Sequence, residues 1–403
     1  MLKKTDHQQR LWQLSLTITI LLLSSTSLVN PTTVVAAERV DPASARPDPK
    51  QKLLWYDIRE LGLEGQGWTN TKAPFDRLPA SAEKQVRPPV WNLSRHSAGL
   101  SVRFRTNAPS IAARWTLTSA NLAMPHMPAT GVSGLDLYVR SALAGQATDN
   151  SNRWQWLATG RPSKFPANEA ILVRDLPHAD REYSLYLPLY NGVQSVEIGI
   201  SAEHALFKLP RAAGKRKPII FYGTSITQGG CASRTGMVHT AILSRRLEEP
   251  VINLGFSGNG RMEQPLVDLM ASIDAAIYVI DCLPNMNGED VAARTEPLVQ
   301  TLRKARPHTP ILLVEDRSYS NAFLVKSAQE RNQQNRQALR ATYQKLTAAG
   351  VKKLYYLPGD QLLGKDNLGT VDGSHPTDLG FMRMADVFEP LLRKILAESH
   401  SNP

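Results

Sequence analysis

Cysteine is scarce in this chain, which has two in 403 residues. So low a count excludes the disulfide-rich miniproteins, whose small cores need several bridges. Glycine does not recur at every third position, which excludes a collagen, and the 42% hydrophobic content is too high for a disordered chain. The sequence lacks the His-Glu-x-x-His, Cys-x-x-Cys, Walker and dinucleotide motifs, so we expect no metal and no cofactor. The length indicates a globular protein of about two domains.

Concentrated positive charge is also missing, although the formal net charge is +11. The lysines and arginines are spread along the chain, and the densest cluster is Lys215-Arg216-Lys217. A nucleic-acid-binding protein usually gathers its basic residues on one element. We therefore expect no nucleic-acid partner and interpret the charge as a basic, solvated surface.

A long apolar stretch occurs at the amino terminus. Lys3 and Lys4 precede a leucine-rich run from Leu11 to Val29, and the small residues Val35–Ala37 follow it. This order is typical of a secretory signal peptide, which we assign to residues 1–37. An uncleaved membrane anchor is the alternative, but the many hydroxyl side chains make the run too polar for a confident span. We expect an exported bacterial protein, periplasmic or extracellular, with no stable membrane insertion after cleavage.

The first half of the remaining chain has the pattern of a β-rich domain. Apolar and polar residues alternate, and Gly, Pro, Asn and Asp interrupt them often, which predicts antiparallel strands. The clearest predicted strands are Leu100–Arg105, Ala112–Leu117, Gly134–Val139, Trp154–Trp156 and Val196–Ile200. We interpret residues 53–210 as a β-sandwich of jelly-roll type, preceded by a linker at 38–52.

The second half has a different pattern, which begins after a predicted basic linker at 211–217. Five apolar runs over residues 218–400 are Pro218–Tyr222, Val251–Leu254, Ala276–Ile280, Ile311–Val314 and Lys353–Leu357. The helical patterns that follow them are Met237–Leu247, Met262–Met270, Val291–Ala305, Ala322–Ala349 and Leu379–Leu396. Strand and helix in alternation predict an α/β domain with a parallel five-stranded sheet sandwiched by helices. Ligands of such sheets bind at the carboxyl ends of the strands.

A serine with the position of a nucleophile follows the first of these strands. Ser225 lies within Gly223–Gly229, on the turn between strand and helix, where its hydroxyl would be exposed above the sheet. A serine at this place is also an ordinary helix cap. A base is offered by Asp372-Gly-Ser-His375, because a carboxylate three residues before an imidazole can hold one ring nitrogen while the other faces the serine. Asp-Gly is, on its own, also a common turn.

Donors for an oxyanion are available after the next two strands. Gly258, within Leu254–Gly260, presents a backbone amide that no side chain shields. Asn285, within Asp281–Asn285, offers a side-chain amide. Each segment alone is an unremarkable Gly- or Asn-containing loop, but four elements at successive strand ends in this order favour acyl transfer.

In this order the residues resemble the SGNH (GDSL-type) hydrolase superfamily over about residues 218–397. Its signature residues are matched by Ser225, Gly258, Asn285 and His375, and Asp372 completes the triad. The resemblance implies a flavodoxin-like SGNH fold and a serine esterase whose oxyanion hole combines the Ser225 and Gly258 amides with the Asn285 side chain. Two motifs depart from the family: Gly-Asp-Ser-Leu is Gly223-Thr-Ser-Ile226 here, and Gly-x-Asn-Asp is Leu283-Pro-Asn-Met286.

The first half carries a resemblance of its own. Gly134-Leu-Asp-Leu-Tyr138 is similar to the Gly-x-Asp-Leu-Tyr signature of a β-rich domain that precedes SGNH domains in some bacterial proteins. The two-domain layout also resembles exported carbohydrate esterases. We therefore expect a secreted carbohydrate O-acetyl esterase acting on an acylated polysaccharide or small molecule. The alternatives are a general short- or medium-chain acylesterase or lipase, an acyltransferase, and a non-catalytic carbohydrate-binding protein.

Two further expectations concern the surroundings of the site. Most tryptophans are interpreted as core residues, but Trp68 and His126 are placed near the cleft as candidate substrate contacts. Cys231 follows the serine turn and Cys282 lies three residues before Asn285, so both loops face one site. Our hypothesis is a disulfide between them, with two free buried thiols as the alternative.

Overall fold

The computed structural model describes residues 37–140, 154–210 and 216–401. The predicted signal peptide lies outside these residues except for Ala37, and so does the 211–215 part of the second predicted linker.

The amino-terminal half of the described chain is built from strands and short helices. The strands are β1 (Glu38–Arg39), β2 (Arg46–Asp48), β3 (Leu53–Asp57), β4 (Leu63–Glu64), β5 (Ser101–Thr106), β6 (Ile111–Leu117), β7 (Leu135–Arg140), β8 (Trp154–Gly160), β9 (Ala167–Val173), β10 (Arg181–Tyr186), β11 (Val193–Ser201) and β12 (Leu206–Lys208). The helices are α1 (Ile58–Leu61), α2 (Pro88–Ser94) and α3 (Ala129–Val132).

These strands form two antiparallel sheets. The first sheet has the order β1-β12-β5-β10-β7-β8, with β4 paired to β5, and the second has the order β2-β3-β11-β6-β9. One hydrophobic core lies between them, because Val102 and Leu137 of the first sheet and Trp115 and Ile198 of the second belong to the same buried cluster. The predicted β-rich domain is confirmed, while its jelly-roll topology stays a prediction.

The expected linker at 38–52 is wrong, because β1 and β2 lie within it. β1 pairs with β12 and β2 pairs with β3, so both extend a sheet at its edge. The two strands have only two and three residues, Pro42 lies between them and Pro47 lies within β2. Such short segments contain no recognisable alternation of apolar and polar residues, which explains why the sequence pattern did not indicate them.

The carboxyl-terminal half has the predicted alternation of strands and helices. Its strands are β13 (Ile219–Gly223), β14 (Val251–Gly255), β15 (Ile277–Asp281), β16 (Ile311–Val314) and β17 (Leu354–Leu357). Its helices are α4 (Ser225–Gln228), α5 (His239–Leu247), α6 (Gln264–Ala271), α7 (Gly288–Ala305), α8 (Lys326–Ala348) and α9 (Asp378–Ser401). Within the described residues the five strands form one parallel sheet in the order β14-β13-β15-β16-β17.

Both faces of the parallel sheet are buried, which requires the continuous apolar runs seen in the sequence. Tyr222 and Ile280 point to the face covered by α6, α7 and α8, whereas Phe221 and Val279 point to the face covered by α5 and α9. The second face also receives Tyr138 and Tyr186 from the first antiparallel sheet. The β-rich half therefore packs directly against the helical half.

Candidate active site

The candidate site lies at the carboxyl edge of the parallel sheet. β13 lies between β14 and β15, so the loops after these three strands meet at one place. Ser225 follows β13, Gly258 follows β14 and Asn285 follows β15. The topology thus brings together the three segments that the sequence analysis singled out.

Local backbone geometry places Ser225 at the start of α4. Thr224 is the N-cap, and its hydroxyl accepts from the Ile226 amide at 3.3 Å. Ser225 is the first helical residue, so its own amide is one of those left free by helix geometry. Glycine is needed at 230, because a Cβ there would lie 2.9 Å from the Tyr190 hydroxyl and 3.4 Å from the His375 ring.

A chain of short hydrogen bonds joins the serine to the predicted base and carboxylate. The Ser225 Oγ atom lies 2.7 Å from His375 Nε2, and His375 Nδ1 lies 2.7 Å from Asp372 Oδ2. A carboxylate can only accept, so Nδ1 carries the ring proton and Nε2 is left to accept from the serine hydroxyl. This is the geometry of a nucleophile, a general base and an orienting carboxylate.

The Asp372 carboxylate is held in its charged form. Partial burial raises its pKa, but hydrogen bonds from the His375 amide, the His375 ring and the Ser374 amide outweigh burial and lower the pKa below its ordinary value. The two amide nitrogens lie 2.8 and 3.0 Å from Oδ1. The same carboxylate therefore fixes both the turn and the imidazole.

The two predicted oxyanion donors lie on the loops that follow β14 and β15. Gly258 has φ +68°, a left-handed conformation that favours glycine, and an added Cβ would meet no described atom within 4 Å. The side of this residue that a side chain would occupy therefore borders open space. Asn285 ends a short 3₁₀ turn, Leu283–Asn285, and its Oδ1 atom is buried without a hydrogen-bond partner among the described residues. The Nδ2 group is the donor end of this side-chain amide.

Gln228, which the sequence analysis did not single out, connects α4 to the loop after β14 that carries Gly258. Its Oε1 atom accepts from the Ser257 amide at 3.0 Å, and its Nε2 atom donates to Leu189 O at 3.0 Å and to His96 Nδ1 at 3.1 Å. Burial and, to a lesser extent, the Arg77 charge lower the pKa of His96 to about 4. His96 is therefore neutral near pH 7 and able to accept this bond.

Replacing Gln228 with leucine is expected to lower kcat by roughly tenfold or more, with a smaller change in KM. The variant leaves the Ser257 amide without its acceptor, so the neighbouring Gly258 amide loses its fixed position, and complete loss of an oxyanion donor costs about 10²–10³ in rate. Steady-state kinetics on 4-nitrophenyl acetate measures the split. Gln329→Leu on the exposed face of α8 is the control, and equal kinetics of the two variants would contradict the positioning role.

The Gly-x-Asp-Leu-Tyr motif joins the β-rich half to the segment after α4. Asp136 is fully buried, and its Oδ2 atom accepts from the Gly236 amide and from Arg234, both at 3.0 Å. The Tyr138 hydroxyl accepts from Arg234 at 3.1 Å. Trp156, one of the tryptophans expected in the core, is instead 52% exposed and donates from Nε1 to Asp136 Oδ1 at 2.9 Å. The motif is therefore a contact between the two halves.

We expect Asp136→Asn to lower the free energy of unfolding by about 2 kcal/mol or more. The change removes a buried charge partner of Arg234, and it places an amide NH2 group, which can only donate, where a carboxylate oxygen had accepted from existing donors. Urea unfolding measures the change. Asp180→Asn is the matched control: this carboxylate is half exposed and 3.7 Å from Arg105, so its loss should cost less than about 0.5 kcal/mol. Equal losses in the two variants would contradict the buried role.

The two cysteines are free and buried, so the hypothesis of a disulfide is corrected. Cys282 points into the core on the α6–α8 face, where its thiol lies 3.6 Å from Tyr222 O. Cys231 lies on the turn after α4 with φ 74°. Burial, followed by the nearby Asp372 charge, raises the pKa of Cys231 to about 12, so the thiol is un-ionised at neutral pH. The Cys231 thiol thus lies near Asp372, whereas the Cys282 thiol lies in the core, so the two side chains point to different parts of the fold.

The two predicted substrate contacts have different positions. The exposed His126 ring lies 6.0 Å from the His375 ring, centroid to centroid, on a turn closed by hydrogen bonds between Met124 and Met127. Trp68 lies elsewhere: its Nε1 atom donates to Ser272 Oγ at 3.1 Å, just after α6 and before β15. That is the amino edge of the parallel sheet, so the placement of Trp68 near the cleft is wrong.

Across residues 37–140, 154–210 and 216–401, no group of three or more His, Cys, Asp or Glu side chains is arranged to hold a metal ion. No helix in this part of the chain combines the length and apolar character needed to cross a bilayer.

Comparisons with known proteins identify both halves. The model of the GDSL-like lipase/acylhydrolase family matches residues 216–393, and the model of the GxDLY domain, the N-terminus of SGNH-type esterases, matches residues 53–206. No curated protein sequence matches the chain.

Solved structures share the whole two-part architecture. A protein from Bacteroides ovatus described as a GDSL-like lipase is 35% identical, with a TM-score of 0.79 over 86% of this chain and 98% of that one. A salicylyl-acyltransferase from a tetracycline biosynthetic pathway is 20% identical, with a TM-score of 0.63 over 91% and 98% of the two chains. A family two carbohydrate esterase from Clostridium thermocellum is 14% identical, with a TM-score of 0.52 over 74% and 93%. The last two likenesses show the fold alone.

The match to the Bacteroides protein covers nearly all of that chain, and the two family models account for both halves of this one. The chain therefore belongs to the GDSL-like (SGNH) esterase/acylhydrolase family, in the form that begins with a GxDLY domain.

Proposed function

We propose that this protein is an exported carbohydrate O-acetyl esterase with Ser225, His375 and Asp372 as its catalytic triad. The observation that carries the proposal is the pair of 2.7 Å contacts that links the serine hydroxyl through the imidazole to the carboxylate. Such a relay at the carboxyl edge of a parallel sheet has the geometry of acyl transfer.

In the first half-reaction the Ser225 oxygen attacks the ester carbonyl while its proton moves to His375 Nε2. The carbonyl oxygen becomes negatively charged and accepts from the Ser225 and Gly258 amides and from Asn285 Nδ2. Collapse of this intermediate breaks the bond to the alcohol, which leaves with the proton that His375 had taken. The products are the free alcohol and an acyl ester of Ser225.

In the second half-reaction water attacks the acyl ester. His375 removes a proton from the water, the oxyanion forms in the same donor set, and its collapse returns the proton to Ser225 and releases the carboxylic acid. Asp372 stays ionised throughout and stabilises the imidazolium that forms twice in the cycle. The lowered pKa of Asp372 supports this assignment.

Three observations support a carbohydrate as the substrate class. The predicted signal peptide would bring the enzyme to a compartment where polysaccharides are met. The His126 turn of the β-rich half lies beside His375, so the GxDLY domain forms one side of the site and can contact an extended alcohol. The Clostridium esterase of similar fold was solved with cellohexaose, which is a reason to test β-glucans among the candidate polymers.

Acetate release by residues 38–403 from a panel of acetylated polysaccharides tests the proposal. The panel includes acetylated xylan, cellulose and mannan, with 4-nitrophenyl acetate and octanoate alongside, and the Ser225→Ala protein gives the background. Release from at least one polymer above that background is the expected result. Hydrolysis of the octanoate in preference to every polymer would indicate a lipase-like enzyme, and acetylation of an added sugar would indicate a transferase.

A further inference from the structure

Exposed apolar side chains concentrate around the Asp372–His375 turn. The loop before α8 exposes Phe323, Leu324 and Val325 by 71%, 80% and 39%, and the segment before Asp372 exposes Leu368 and Val371 by 68% and 47%. We call these five residues the apolar rim. Single exposed apolar residues are common, but a concentration beside a reactive site indicates a binding surface.

The rim is held by hydrogen bonds, so its exposure is not the fraying of a loose loop. The Ser320 amide donates to Gly373 O at 2.9 Å, and the Thr370 hydroxyl donates to Ser320 Oγ at 2.9 Å. The Val325 amide donates to Asn321 O at 2.9 Å and closes the turn that carries Phe323 and Leu324. The two rim segments are therefore tied to each other and to the catalytic turn.

The reaction geometry determines which part of a substrate reaches the rim. His375 Nε2 must give its proton to the leaving alcohol, so the alcohol oxygen lies within about 3.2 Å of that nitrogen in the productive complex. The oxyanion donors come from the loops after β14 and β15 and hold the carbonyl side. The alcohol part of the ester thus lies on the His375 side of the site, next to the turn to which the Ser320–Gly373 hydrogen bond ties the apolar rim.

Resting on the proposed function, we propose that the rim binds an apolar aglycone, so the substrates are acetylated sugars that carry an alkyl or aryl group. The aliphatic and phenyl side chains of the rim offer a sugar hydroxyl no hydrogen-bond partner. They would instead remove an alkyl chain from water. The alkyl chain contacts the rim both in the bound substrate and in the transition state, so the rim stabilises the two states equally. We therefore expect the contact to lower KM and to leave kcat nearly constant.

The test compares two substrates that differ only in the aglycone. These are monoacetylated methyl β-glucoside and monoacetylated octyl β-glucoside, each used as the mixture of isomers that carry the acetyl group on different ring hydroxyls. The octyl compound is used below its critical micelle concentration. For the wild-type enzyme we expect kcat/KM at least tenfold higher for the octyl substrate, mainly through KM. The variant Phe323→Ser/Leu324→Ser should bring the octyl-to-methyl ratio close to one.

Two further variants make the result specific. Leu368→Ser, on the other rim segment, should also lower the ratio, and thermal melting checks that each variant is folded. Ile171→Ser on β9 replaces an apolar side chain of comparable exposure, 42%, in the β-rich half and should keep the wild-type ratio. Loss of the ratio in Ile171→Ser as well would mean that the effect is not local to the rim.

The outcomes separate the inference from the proposed function. A wild-type ratio near one, or a ratio that survives both rim variants, overturns the aglycone assignment while leaving the esterase assignment intact. Hydrolysis of 4-nitrophenyl acetate but of neither glucoside overturns the inference, and the proposed function falls with it only if no polymer of the panel releases acetate above the Ser225→Ala background. A ratio near one combined with sedimentation on phosphatidylcholine vesicles that the rim variants lose would assign the rim to a lipid surface instead.

Discussion

Replacing Ser225 with alanine is expected to lower kcat on 4-nitrophenyl acetate by a factor on the order of 10⁵. The variant removes the atom that forms the acyl-enzyme, while the oxyanion donors and the substrate contacts remain and retain only a residual acceleration over water. Steady-state kinetics measures the loss, and intact-protein mass spectrometry shows whether an acyl adduct forms. The adduct should appear on the parent protein during turnover and never on the variant.

The matched control is Ser244→Ala. Ser244 lies on α5 and donates to Glu249 O at 2.9 Å, near the amino edge of the sheet, so its loss should leave kcat within a factor of about two. A Ser225→Ala protein as active as the parent would show that Ser225 is not the nucleophile. Turnover at the uncatalysed rate by both proteins would restore the interpretation of a non-catalytic binding protein.

The Asp372→Asn variant gives a graded second test of the same triad, with an expected loss of about 10⁴ in kcat. Asparagine keeps the shape of the side chain but can donate toward His375 Nδ1, which favours the tautomer that cannot accept the serine proton. Wild-type activity should not decline through protonation of Asp372 until well into the acid range, because its pKa is lowered. Loss of less than tenfold would assign the orienting role to another group.

Much of the fold could be predicted because the signals are local. The run Ile311–Val314 became β16 with the predicted bounds, since a strand buried on both faces needs uninterrupted apolar residues. Ser225 was recognisable because it directly follows β13, and the Asp372–His375 turn because a carboxylate and an imidazole three residues apart precede the last helix. Parallel strands order their carboxyl ends along one edge, so sequence order alone brought distant segments together.

Other features could not be predicted because they depend on which way a side chain points across the fold. Gln228 contacts Leu189 and Ser257, which are far apart in sequence, and no local pattern marks that contact. Cys231 and Cys282 follow the neighbouring strands β13 and β15, yet the Cys282 side chain packs into the core on the α6–α8 face of the sheet. Trp68 follows a glycine-rich stretch that crosses to the opposite edge of the sheet, as its bond to Ser272 shows.

A buried histidine outside the site gives a second large effect, this time on stability. His239 begins α5, and its ring stacks between Phe381 and Phe388 at centroid distances of 5.8 and 5.7 Å. Neither ring nitrogen has a hydrogen-bond partner among the described residues. Burial, followed by the charge of Arg317, lowers the pKa of His239 from its ordinary 6.5 to about 3. The neutral ring is tolerated in this apolar place and the charged ring is not.

We therefore expect His239 to make the protein sensitive to acid. Between pH 6.5 and 3 the unfolded chain binds a proton at this residue and the folded chain does not, so the free energy of unfolding falls as the pH is lowered through this range. The contribution of His239 is fully present above pH 6.5, and by pH 4.5 it should have fallen by about 3 kcal/mol.

His239→Phe tests this expectation, because phenylalanine keeps a flat ring between Phe381 and Phe388 but cannot be protonated. Urea unfolding of both proteins at several pH values between 7.5 and 4.5 gives two stability curves, and the quantity of interest is the difference between their slopes. Other buried groups also change the pH dependence of stability, but they do so equally in both proteins. Burial raises the pKa of Asp281 to about 6, which opposes the effect of His239, and this contribution of Asp281 cancels when the two curves are compared. The larger phenyl ring can shift the whole curve of the variant through packing without changing its slope. We expect a flatter curve for the variant, whose free energy of unfolding should fall by about 3 kcal/mol less than that of the parent over this pH range. Parallel curves would contradict the expectation, because they would show that His239 is protonated in the folded protein at the same pH as in the unfolded chain.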